Sequence, residues 1–179
     1  MKKSLFDDIW PSERDLFERP ERLKYVRRII KPKGCVFCQA LKLKSRSQAG
    51  LLYKSASAMI VLNKYPYNNG HLLILPARHI GNLEELKEPE WNEIHWLLKK
   101  SVGILKKTYG CSGLNVGLNL GAAAGAGIPD HLHYHIIPRW VGDTNFFPLI
   151  AETKVVVETL ATSFKKLEKA FKALEGKLK

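Results

Sequence analysis

The chain has 179 residues, 45% hydrophobic and 26% charged, proportions near the globular average that exclude collagen-like, low-complexity and wholly disordered chains. No apolar run approaches the roughly 20 residues of a membrane span, so a single soluble domain with its own core is expected. The 29 basic and 17 acidic residues leave a net charge of +12, which attracts anions such as nucleotides, polyphosphates or nucleic acid, or equally serves solvation where lysines line exposed helix faces.

Residues 1–33 form a charged arm broken by Pro11, Pro20 and Pro32, with at most a short helix near Arg22 to Ile30. Asp7 and Asp8 stand where a secretory leader would continue its apolar stretch. The cysteine count is odd, with Cys35 and Cys38 separated by two residues and Cys111 left over. That pattern suits a metal or redox pair in a reducing compartment better than a disulfide framework, so a cytoplasmic location is expected.

The body begins at Gly34. Ala58 to Leu62 and His71 to Leu75 are short apolar runs separated by the turn-rich Tyr65-Pro66-Tyr67-Asn68-Asn69-Gly70, which predicts a pair of antiparallel strands. From Glu88-Pro89-Glu90 the residues Trp91, Ile94, Leu98, Val102 and Leu105 recur at helical spacing until Tyr109-Gly110. Leu114 to Leu120 reads as a strand, Gly121 to Gly127 as a loop, and His131 to Pro138 as a last strand. Leu160, Phe164, Leu167, Phe171, Leu174 and Leu178 step by three and four along an amphipathic C-terminal helix. This order predicts an α+β fold, an antiparallel sheet with a long helix packed on one face and an additional C-terminal helix.

The sharpest chemical feature is His131-Leu132-His133-Tyr134-His135-Ile136-Ile137-Pro138, which holds three of the six histidines. On a strand, alternation places the three imidazoles on one face and Leu132, Tyr134 and Ile136 on the other. Imidazole is a nucleophile and proton carrier near neutral pH, and a row of them beside a glycine-rich loop suits attack at phosphorus. Glycine at 125 and 127 would let the backbone N–H groups of Ala126 to Ile128 approach phosphate oxygens, although small residues also mark ordinary flexible connectors. Cys35 and Cys38 can reach one ion together; a redox dithiol and two ordinary buried cysteines are the other readings.

The pattern His-φ-His-φ-His-φ-φ, with φ apolar, resembles the signature of the histidine triad (HIT) family of nucleotide hydrolases and transferases. Further landmarks agree: Val61-Leu62-Asn63-Lys64, then Asn69-Gly70-His71-Leu72-Leu73-Ile74-Leu75-Pro76, Arg78-His79, Asn119-Leu120-Gly121 and Pro138-Arg139-Trp140. The Cys-x-x-Cys near the start and Gly142-Asp143-Thr144-Asn145-Phe146 after the triad are similar to the bacterial diadenosine tetraphosphate phosphorylase-like branch. Tyr134 at a φ position is a departure that an amphipathic aromatic tolerates. The resemblance runs from about Lys31 to the C-terminal helix, implying an arm over 1–33, a HIT catalytic domain over 34–150 and a C-terminal helical segment over 151–179 packed on it.

The resemblance implies that His133 is the nucleophile that takes the nucleotidyl group, that His135 contacts the α-phosphate and bridging oxygen, and that His71 belongs to the same hydrogen-bonded cluster. It places Asn63 on the ribose hydroxyls, Leu62 and Ile60 in the base pocket, Asn119 near a phosphate or the leaving group, and Gly125, Ala126, Gly127 and Ile128 at the phosphates. Taken alone, either asparagine reads equally well as a turn residue. It also implies a structural zinc ion held by Cys35, Cys38, His79 and His131, no organic cofactor, and a homodimer. The implied reaction is phosphorolysis of diadenosine tetraphosphate to ADP and ATP, with inorganic phosphate as acceptor. Alternatives are hydrolysis of dinucleoside polyphosphates, adenosine phosphoramidates or adenylylated nucleic-acid ends, and a nucleotide sensor without turnover.

Overall fold

The structure is a computed structural model that describes residues 34–143 and 158–175; the arm, with its expected helix near Arg22 to Ile30, lies outside them. The chain divides into two compact units, Met1–Lys31 with Gly142–Val155 and Pro32–Val141 with Val156–Lys179. Everything below concerns the second.

Two short helices come first, α1 (Val36–Ala40) and α2 (Arg46–Ala49). Ser45 caps α2 by accepting the Gln48 N–H, and Gly50 ends it in the left-handed region at φ 64°. The strands are β1 (Leu51–Lys54), β2 (Ala58–Leu62), β3 (Leu72–Pro76), β4 (Gly113–Leu118) and β5 (Tyr134–Arg139). They form one sheet in the order β1-β2-β3-β5-β4, with every pair antiparallel. The expected pairing of β2 with β3 is present, with Ile60 opposite Ile74. The reading from sequence did not include β1, whose apolar stretch is only Leu51-Leu52-Tyr53.

Helix α3 (Glu88–Tyr109) spans the expected residues and ends at Gly110 with φ 57°. Its buried stripe is Ile94, Leu97, Ser101 and Leu105, so Leu97 takes the core position expected of Leu98, and Trp91 stays on the rim, 40% exposed. Helix α4 (Leu160–Glu175) buries Phe164, Leu167 and Phe171 as its spacing predicts. The Glu158 carboxylate joins the end of α3 to the start of α4, accepting from the Tyr109 hydroxyl at 3.0 Å, the Ser163 hydroxyl at 2.5 Å and Lys166 Nζ.

Strand alternation separates two cores. Ile60, Leu62, Leu72, Ile74, Tyr134 and Ile136 pack against α3 and α4. Met59, Val61, Leu73 and Leu75 face the other way, where Phe37 of α1 covers them. This second face carries the histidines. The last strand begins at Tyr134 rather than His131 because the preceding residues bond outside the ladder: His131 N–H donates to Ile128 O and Leu132 N–H to Ile80 O.

Candidate active site

His71 and His135 meet because antiparallel register makes them diagonal neighbours. Leu73 lies opposite His135, and His71 is two residues back on the same face. Their nitrogens, Nε2 of His71 and Nδ1 of His135, are 2.9 Å apart. The Tyr67 N–H donates to His71 Nδ1 at 3.1 Å, so that nitrogen is an acceptor and the His71 proton sits on Nε2. His71 therefore donates to His135 Nδ1, which leaves the His135 proton on Nε2. Donors at His71 Nδ1, the Tyr67 N–H with the Asn63 amide beside it, thus order the tautomers of both rings.

His133 is ordered from its own backbone. Its Nδ1 lies 2.7 Å from the His131 carbonyl, which can only accept, so Nδ1 carries the proton and Nε2 carries a lone pair. Burial holds its pKa below the usual imidazole range. The His133 and His135 ring centroids are 5.0 Å apart. A lone-pair nitrogen and an N–H donor thus stand side by side, an arrangement suited to attack at phosphorus with donation to a bridging or non-bridging oxygen.

Beside them lies a second cluster. Cys35 Sγ, Cys38 Sγ and one nitrogen each from His79 and His131 all fall within 4.8 Å of one another. His131 Nδ1 is 3.3 Å from Cys35 Sγ, 3.7 Å from Cys38 Sγ and 3.3 Å from His79 Nδ1. Its other nitrogen donates to Pro76 O at 3.0 Å, which fixes the tautomer with the Nδ1 lone pair turned to the cluster. Metal bonds of about 2.3 Å to sulfur and 2.0–2.1 Å to nitrogen, set tetrahedrally, give donor separations of about 3.3–3.8 Å. The donor set is compatible with zinc.

Two expectations need correction. Ile60 and Leu62 do not line a base pocket beside the histidines; they pack in the core under α3 and α4. Since side chains alternate along β2, the residues on the histidine face are Met59 and Val61, followed by Asn63. The other assigned residues are placed as follows. The Asn63 amide lies 3.2 Å from His71 Nδ1 and its oxygen accepts the Tyr65 N–H at 2.9 Å. Asn119 is exposed just beyond β4. In the glycine-rich loop, Gly125 has φ 84°, the Ala126 N–H donates to Gly121 O at 3.3 Å, and Ile128 packs against the histidine-side core. Gly127 lies in the same loop.

Two site residues escaped the sequence reading. Phe37 packs on both His131 and His133, and its position between the paired cysteines was the available signal. Tyr67 stacks on His71 and His135, but an aromatic in a turn gives no hint of what lies under it.

The sequence matches the HIT domain family over residues 44–141. The chain belongs to the HIT family. Among its HIT relatives, an AP-4-A phosphorylase of Mycobacterium tuberculosis is 44% identical over 100 residues, 56% of this chain and 51% of that protein. The chain thus spans about half the length of that relative. An uncharacterised HIT-like protein of Methanocaldococcus jannaschii is 34% identical over 61% of this chain and 81% of its own. Among solved structures, a hypothetical histidine triad nucleotide-binding protein from Sulfolobus tokodaii superposes with TM-score 0.62 at 28% identity, covering 80% of this chain and 96% of that one. A Zn-bound histidine triad family protein from Mycobacterium smegmatis shares the HIT fold at TM-score 0.63 and 21% identity, over 80% of this chain and 97% of that one.

Proposed function

We propose that this HIT protein is an enzyme that cleaves diadenosine tetraphosphate by phosphorolysis, giving ADP and ATP. The carrying observation is the His131 carbonyl, which accepts the hydrogen bond of the His133 Nδ1–H at 2.7 Å and so leaves the Nε2 lone pair to attack. In the first step His133 Nε2 bonds to the α-phosphorus and the P–O bond to the leaving ATP breaks. In the second, an oxygen of inorganic phosphate attacks the adenylyl-histidine, forming ADP and freeing His133. His135 Nε2–H would donate to an oxygen at the reacting phosphorus. The AP-4-A phosphorylase relative supports phosphate as the acceptor.

Water as acceptor is the second reading, supported by a relative from Schizosaccharomyces pombe named as an asymmetrical bis(5'-nucleosyl)-tetraphosphatase, 30% identical over 93 residues. Product separation after incubation with diadenosine tetraphosphate, with and without phosphate, decides between them. ADP plus ATP only with phosphate supports phosphorolysis; products without phosphate mean hydrolysis. Tight nucleotide binding with no product in either tube leaves a sensor.

Zinc at Cys35, Cys38, His79 and His131 is part of the same reading. When bound it would tie the segment after the arm to His131 and so hold the backbone carbonyl that orders His133. A homodimer is supported by β4, an edge strand of the sheet whose Val116 is 45% exposed, with Leu120 just beyond it 47% exposed. The odd cysteine count with one Cys-x-x-Cys pair is the ground for a reducing, cytoplasmic setting. No helix among the described residues is long and apolar enough to cross a membrane.

A further inference from the structure

The turn between β2 and β3 is more tightly built than a connector of its composition requires. Pro66 and Asn68 are buried in it. The Asn68 amide donates to Pro138 O at 2.8 Å, tying the turn to β5. Gly70 has φ 73°, and a Cβ there would lie 2.6 Å from Tyr109 Cε2. The turn is thus pressed against the end of α3 on one side and bonded to the catalytic strand on the other. Tyr67 lies between the buried Pro66 and Asn68, directly before these anchors, so its ring is presented on a fixed backbone.

That ring lies over the pair of histidines. Its plane is 29° from His71 with centroids 5.1 Å apart, and 25° from His135 at 6.3 Å. Both separations fall in the range of offset aromatic stacking. Through its N–H, the same residue places the His71 proton on Nε2. An imidazole on a strand has a soft χ2, with two orientations half a turn apart that put a ring carbon where each nitrogen was. For His135, that half-turn would carry Nδ1 away from His71 and Nε2–H away from its working direction. A parallel ring above it penalises the rotation throughout, because the imidazole must leave the stack to turn.

We infer that Tyr67 is a positioning residue for the reaction: its N–H sets the His71 tautomer, and its ring holds His71 and His135 in one orientation, so that the His135 Nε2–H is aimed before substrate arrives. This rests on the reaction proposed above. The contribution is preorganisation, which acts on the chemical step more than on ground-state binding.

The test compares Tyr67→Leu, which keeps bulk and the backbone N–H but removes the ring, with Tyr67→Phe, which keeps the ring. Nitrogen-15 imidazole spectra report the His71 and His135 tautomers without any turnover, and kcat and KM are measured with diadenosine tetraphosphate and phosphate. Tyr67→Leu is expected to give a mixture of tautomers at His135 and to lower kcat at least about tenfold with KM within about twofold, while Tyr67→Phe restores one tautomer and most of kcat. A single Nε2–H tautomer with undiminished kcat in Tyr67→Leu overturns the inference, as does Tyr67→Phe behaving like Tyr67→Leu. Should Tyr67→Leu lose its fold, Tyr67→Met puts the same question with a flexible chain. If the wild-type protein turns over no nucleotide, the proposed reaction fails while the tautomer spectra still decide the role of Tyr67.

Discussion

The ring of Phe37 packs on the imidazole of His133, centroids 5.2 Å apart and planes tilted by 57°, and meets the His131 ring near perpendicular at 5.3 Å. Phe37 stands between Cys35 and Cys38, so the segment that brings both thiols to the Cys/His cluster also packs on the ring of the proposed nucleophile, His133. Phe37→Ala should cost about 3–5 kcal/mol of stability, as large-to-small changes at buried aromatics do, and should lower kcat by loosening His133. Denaturant unfolding beside steady-state kinetics checks both, and a loss of stability with unchanged kcat would confine Phe37 to packing.

Removing the proposed nucleophile, His133, separates chemistry from folding. His133→Asn should reduce turnover by at least about a thousandfold, as loss of a covalent catalyst does. Its circular dichroism and nucleotide affinity should stay near wild type. A variant that still releases ATP from diadenosine tetraphosphate would move the attack to another group.

The Cys35, Cys38, His79 and His131 cluster, compatible with zinc, leads to an expected metal content of about one zinc per chain. Elemental analysis of Cys38→Ser should show the zinc lost and the melting temperature lowered. Prolonged chelation of the wild type should reproduce that drop. Unchanged stoichiometry in Cys38→Ser would remove this thiol from the ligand set.

Arg78, next to His79 of the Cys/His cluster, clamps the first turn of α3. Its Nε and Nη2 donate to the two Glu90 oxygens at 3.0 and 2.9 Å, and Nη2 also reaches Glu85 O. The guanidinium holds the Glu90 pKa below the usual carboxylate value of 4.5. A carboxylate with a depressed folded-state pKa binds its proton more readily when unfolded, so its stabilisation is complete above the unfolded value and is lost as pH falls toward the folded one. Stability should decline on acidification from about pH 5 downward, and Glu90→Gln should flatten that part of the curve. Denaturant midpoints across the acid range give the comparison; parallel curves would assign the slope to other carboxylates.

Gly70 tests the turn that carries Tyr67. With φ 73° and a Cβ position 2.6 Å from Tyr109 Cε2, Gly70→Ala should cost about 2–4 kcal/mol, from left-handed backbone strain plus steric overlap. Thermal or denaturant unfolding measures it. A near-neutral effect would mean that Tyr109 gives way at little cost.

How much of this was legible beforehand depends on the range of each interaction. Periodicity and punctuation located β2, β3, α3 and α4 because they are local properties of the chain: Gly110 ends α3 where a left-handed residue is needed, and Phe164, Leu167 and Phe171 recur at the helical step. The His-φ-His-φ-His pattern marked the chemistry for the same reason. Its spacing alone marked His131, His133 and His135 as chemistry-bearing residues, although only His135 lies on the strand itself, and the accompanying motifs pointed to the HIT family. Tertiary structure decided what depends on contacts distant in sequence. Strand parity placed Ile60 and Leu62 in the helix-covered core and left Met59 and Val61 on the histidine face, because a one-residue offset reverses every side chain. The pairing of β3 with β5 set His71 against His135 across 64 positions. Carbonyls at Pro76 and His131 chose which nitrogen of each neighbouring imidazole carries the proton. A residue's type fixes what chemistry it can perform, whereas its tautomer, partners and aim are set by hydrogen bonds that exist only once the sheet has closed.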